Sequence, residues 1–141
     1  MPRDERRMLR TAAVALPAIA IALRIVSLRR VLATLAWGTD AAVVAAGDEG
    51  RARRAADLVA IAARRGIHPG NCLSRSVTLW WLLRRRRIAS ELRIGVRKEG
   101  ETLLAHAWVE QHGRPLNDSE AVCRRYAVFE RNIVPAGTRW S

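Results

Sequence analysis

The feature that most constrains this chain is a change of hydrophobic period near residue 90. Before it, apolar residues recur at helical spacing; after it, they alternate every second residue. Ala55, Leu58, Val59 and Ala62 follow i, i+3, i+4, i+7 spacing, and Arg51, Arg53, Arg54, Arg64 and Arg65 supply a solvated face. Gly66 and Pro69 end that helix, and residues 68–70 must be a loop. Asn71 is a good N-cap for the next one, CLSRSVTLWWLLRRRR. Leu73, Val77, Trp80 and Trp81 share a face there, widened by Leu79, Leu82 and Leu83, so the helix should be mostly enclosed, with the two tryptophans against a sheet. The arginines at 84–87 suit the negative end of its dipole. Then Leu92, Ile94 and Val96 alternate with Arg93, Gly95 and Arg97, a half-buried strand. A turn at 99–101 leads to a second strand over 102–111. A turn at 112–115, a third strand beginning at 116–118 and an edge strand at 126–129 complete the pattern. Helices followed by an antiparallel meander make the expected class α+β.

Upstream, residues 4–36 read as helix, kinked or restarted near Pro17 because proline lacks a backbone donor. Residues 37–40 look like a break, 41–46 fit helix or strand, and 47–50 look like a loop. The expected division is a helical region over 1–50 and a second unit over 51–141. Residues 11–23 (TAAVALPAIAIAL) are uncharged and follow Arg6, Arg7 and Arg10, as in a signal peptide. Yet Arg24, Arg29 and Arg30 follow with no small-residue cleavage site, and the run is short of the ~20 residues that span a bilayer. A buried or interfacial helix is the better reading.

The net charge is +12, and Lys98 is the one lysine among 25 basic residues. Such a skew arises from a GC-rich genome as readily as from selection, so it is weak support for a nucleic-acid partner. With 50% hydrophobic and 27% charged residues, the chain is neither disordered nor purely membrane-embedded. Two cysteines without a CxxC or HxxxH pattern make neither a disulfide framework nor a zinc site, and a reduced, cytoplasmic setting fits.

Three residues stand out by position. Cys72 opens the enclosed helix, where unpaired N–H groups and the helix dipole favour a thiolate. His106 lies mid-strand with Leu104 and Trp108 on its face. Asp118 follows the turn near His112, and a hairpin there pairs positions whose numbers sum to about 224 or 225. His106 and Asp118 should therefore be near-opposite neighbours, with Cβ atoms roughly 5 Å apart. If the Cys72 helix packs on that face, the three make a nucleophile, a base and an orienting carboxylate. Trp108 would shield the imidazole. Asn71 is either a helper for the oxyanion or simply an N-cap. His68 could line the entrance, His112 is a loop residue, and Cys123 reads as an ordinary thiol. No metal site is expected.

The segments NCLSRSVTLWWLL, LRIGV, AHAWVE and PLND, spanning roughly residues 51–120, resemble the transglutaminase-like cysteine proteases of lasso-peptide biosynthesis. These B-type maturation proteins remove the leader from a ribosomally made precursor. The resemblance implies a papain-like core and a triad of Cys72 as nucleophile, His106 as general base and acid, and Asp118 as orienter. It also implies the precursor peptide as substrate. Only about 50 arginine-rich helical residues precede the matching part, which does not suit a fused winged-helix recognition domain. The split form is therefore expected, with a separate leader-recognition protein and an asparagine-synthetase-like cyclase as partners. No GxxxxGK[ST] loop is present, so no ATP site and no other cofactor is expected.

Two other readings remain open at this stage. The same triad could pass its acyl group to an amine, as transglutaminases do. Alternatively, the chain is a non-catalytic basic module on nucleic acid or membrane; neither contact is favoured, though a membrane one stays possible.

Overall fold

The computed structural model describes residues 1–37, 49–66, 71–118, 121–128 and 139–140. Helices α1 (Arg3–Ile25), α2 (Leu28–Trp37), α3 (Glu49–Arg65) and α4 (Cys72–Arg85) precede strands β1 (Glu91–Glu99), β2 (Thr102–Gln111) and β3 (Arg114–Pro115). A short helix α5 (Val122–Arg125) and strands β4 (Ala127–Val128) and β5 (Arg139–Trp140) follow. The fold is α+β, as the change of period predicts.

α1 runs unbroken through Pro17. Ala12, Leu16 and Ile19 are buried on either side of the proline, and that packing holds the helix across the missing hydrogen bond. The break falls instead at Val26, which turns extended (φ −120°, ψ 150°), and the Ser27 carbonyl accepts the first α2 bond from Val31 N–H (3.1 Å). Glu49 and Gly50, expected in a loop over 47–50, belong to α3. The readings at 38–46, at His68 and at Phe129 fall outside the described residues.

The sheet order is β3-β2-β1-β4, antiparallel throughout, and β5 lies parallel to β2. The second hairpin turns on His112 (φ 52°) and Gly113 (φ 75°) alone. Both sit in the left-handed region, as a two-residue turn matching strand twist requires. Arg114 and Pro115 are consequently strand, pairing Gln111 and Glu110. The third strand thus lies earlier than expected, and residues 116–118 form a bend.

One face of the sheet packs under α4. Ile94 and Ala107 join Cys72, Leu73, Val77 and Ile19, while Val109 joins Leu79, Leu82, Leu83 and Ala12 of α1 with residues of α3. The other face carries Trp108, Val122 and Tyr126. Trp80 and Trp81 are half-buried and pack against the core clusters that include Val109, Ile94 and Ala107 of the sheet. Trp81 lines a groove with α1 and α2 residues. The Arg84 and Arg85 guanidinium carbons stand 5.6 and 4.9 Å over the Trp80 and Trp81 rings.

Candidate active site

Cys72 is the first residue of α4 and is buried (5% exposed). Its position is fixed by a complete capping box. Asn71 Oδ1 accepts from Ser74 N–H (2.9 Å), and Ser74 Oγ accepts from Asn71 N–H (2.9 Å). Of the two roles open to Asn71, its side-chain carbonyl takes the cap. Downstream, Ser76 lies one turn from Cys72 on the face turned to β2, and its Oγ donates to the Ala107 carbonyl (3.0 Å).

β2 is covered unevenly along the edge away from β1. β3 pairs Glu110 and Gln111, and β5 pairs Leu104 and Ala105. Between them, among the described residues, residues 106–109 have no strand neighbour on that side. Side chains and a bend occupy the gap. Leu116 N–H donates to the Val109 carbonyl (2.8 Å), Val109 N–H to Asn117 Oδ1 (2.9 Å), and Asn117 Nδ2 to Ser76 Oγ (3.0 Å). The bend at 116–118 is thereby tied to both β2 and α4.

Asp118, next in the chain, turns back to His106, and its Oδ2 meets His106 Nε2. The ladder sum is 225, which would set residue 118 opposite Ala107 rather than His106. The ladder stops before that point, and the bend supplies the shift. With Nε2 engaged, Nδ1 is the ring nitrogen available to the sulfur. His106 is raised above the ordinary histidine range, first by hydrogen bonding with Cys72 and then, against the opposing effect of burial, by Asp118. Cys72, Arg75, His106 and Asp118 line one cavity of ≈ 130 Å³ with Ser76 and Asn117.

Packing of α4 on the His106 face is not the route by which the three residues meet: α4 covers the opposite face, that of Ile94, Ala107 and Val109. The thiol meets the imidazole at the sheet edge, where the gap lets the N-terminus of α4 come alongside. Trp108 does share the imidazole's face, with ring centroids 6.1 Å apart. Tyr126, not singled out in the sequence, stacks closer, at 5.1 Å and 25°. Gly95, paired with His106 across the ladder, makes room for it: a Cβ there would lie 2.7 Å from Tyr126 Cβ and 3.0 Å from the Trp108 ring. Glu110 fixes the rest of this face, accepting from Trp108 Nε1 (2.9 Å) and Arg93 Nε (3.3 Å). Ser76 and Asn117 were also missed. The four-residue spacing from Cys72 to Ser76 and the adjacency of Asn117 to Asp118 were the available signals. His112 is exposed at its turn, and Cys123 lies within α5.

A thiol, an imidazole and a carboxylate in series are what cysteine-dependent acyl transfer requires. The chain belongs to the transglutaminase-like superfamily: the family model matches residues 13–131, and members are generally cysteine-dependent enzymes. The match takes in α1 from residue 13 onward, the Cys72 helix and strands β1 to β4. No curated protein and no solved structure matches significantly.

Proposed function

We propose that this protein is a cysteine endopeptidase that removes the leader peptide from a ribosomally made lasso-peptide precursor. The observation that carries the reading is the meeting of Cys72, His106 and Asp118 in one cavity, from segments far apart in sequence. In the reaction, Cys72 sulfur attacks the carbonyl joining leader to core. The tetrahedral oxyanion is held by the Cys72 backbone N–H at the start of α4. His106 takes the thiol proton as the sulfur attacks and gives it to the departing amine as the C–N bond breaks, which leaves a leader thioester. His106 then takes a proton from water, whose oxygen attacks the thioester, and the leader acid leaves as the thiol is restored. Asp118 keeps Nε2 engaged so that Nδ1 faces the sulfur.

The cavity supports division of labour. At ≈ 130 Å³ it is smaller than the ~300–1,000 Å³ of pockets that enclose a whole ligand, so it takes the groups around one peptide bond. Most of the leader then lies outside it, which suits presentation by a separate leader-recognition protein, with a lasso cyclase acting on the released core. A reduced, cytoplasmic compartment keeps the thiol competent.

Superfamily membership supports a second reading, in which an amine replaces water at the thioester. Incubation with precursor followed by mass spectrometry separates the two, since hydrolysis adds a water and aminolysis does not. Cys72→Ala should lower turnover by ~10⁶, judged from other nucleophilic triads. Normal processing by that variant would end both readings.

A further inference from the structure

Helix α1 sorts its charges by side. Its two acids pair with arginines of α3 and the α4 end: Asp4, itself exposed, accepts from Arg86 (2.6 Å), and Glu5 accepts twice from Arg54 (2.8 and 3.0 Å). Arg3, Arg6, Arg7 and Arg10 stay exposed. On the same helical stripe as Arg3 and Arg10 come Val14, Ile21 and Ile25, exposed by 72%, 59% and 78%. Trp37, at the end of α2, is 91% exposed. Among the described residues, six of the seven exposed large hydrophobics lie in residues 1–37, so this surface differs in kind from the rest. Beside the stripe an apolar groove of ≈ 390 Å³ runs between α1 and α2, lined by Ala15, Ile19, Ala22, Val31, Leu35 and Trp81.

We propose that the outer face of α1 and α2 docks on an anionic lipid surface, lying in its plane. A basic cluster leading into an apolar stripe, with an exposed tryptophan at the far end, is complementary to headgroup phosphates above an acyl layer. The charge segregation favours lipid over a neutral protein partner, because the two acids of α1 are ion-paired with Arg86 and Arg54 instead of neutralising the basic stripe. An 18-residue window of α1 reaches a mean hydropathy of 1.7, enough by length and composition to cross a membrane. It does not cross here, because Ala12, Leu16 and Ile19 on its inner side belong to the buried interior, and spanning would dismantle the packing around Cys72.

The test is co-sedimentation of the full chain with vesicles of phosphatidylcholine alone and of phosphatidylcholine mixed with phosphatidylglycerol. Binding is expected to the mixed vesicles only, and to weaken with salt. Arg6→Gln with Arg10→Gln should weaken it roughly 30-fold. Val14→Glu with Ile21→Glu should abolish it while circular dichroism stays unchanged, and Trp37→Ala should reduce it through a side chain that barely touches the protein. No binding to mixed vesicles, or equal binding by the Val14/Ile21 variant, would overturn the proposal. So would a dimer by light scattering that this variant returns to monomer without any vesicle binding, since the face would then join two copies of the chain.

Discussion

The two faces of β2 are built on different physics. The face toward α4 is aliphatic: Ala105, Ala107 and Val109 are buried against leucines, valines and Cys72 itself. Its strength comes from apolar area removed from water, which has no directional preference. The opposite face is aromatic and polar. Trp108, Tyr126 and His106 stack, Glu110 accepts a hydrogen bond from the indole N–H, and Arg97 stands 5.5 Å over the Tyr126 ring. The difference teaches how position and orientation are divided. Aliphatic burial places the sulfur; directional contacts orient the imidazole that must face it.

That contrast can be broken experimentally. Trp108→Ala should cost about 3–5 kcal/mol in urea denaturation, because a fully buried side chain is lost and Glu110 is left buried without its indole donor. Gly95→Ala should cost about 1–3 kcal/mol by overpacking against Tyr126, with a larger fractional loss of turnover than of stability. An equal loss in both would mean that the aromatic face is only core. Asn117→Ala should cost about 1–3 kcal/mol by orphaning Val109 N–H, and should lower kcat while iodoacetamide still labels Cys72. The smallest effect is a titration, read by following the His106 ring by NMR. Its pKa should fall on Cys72→Ala, and by less on Asp118→Asn, following the order of their influence. The sign for stability follows: a raised histidine contributes fully below its unfolded pKa of ~6.5, and the contribution fades as pH rises through the higher folded value.

α3, α4, the two long strands and the three candidate residues were legible because each rests largely on local signals. Periodicity marked α3 and β1–β2, and Asn71 marked the start of α4. Hairpin arithmetic brought Asp118 near His106 even though the true register is one residue away, since a bend forgives what a ladder would not. What failed to show was non-local. Nothing in residues 92–109 says which side of an alternating strand a helix will cover, because both sides of β2 carry apolar residues. The parallel pairing of β5 depends on chain return, which no short pattern encodes. Pro17 misled because its own helix is held from outside.

The uncovered stretch of β2 has a consequence for timing during synthesis. The sulfur and the imidazole belong to residues 72 and 106, but the carboxylate and the tyrosine that stacks on the ring come from residues 118 and 126, made after both. A partly made polypeptide therefore carries a thiol without its assembled partners. The contacts that orient the imidazole therefore form only once residues 118 and 126 have folded back onto β2.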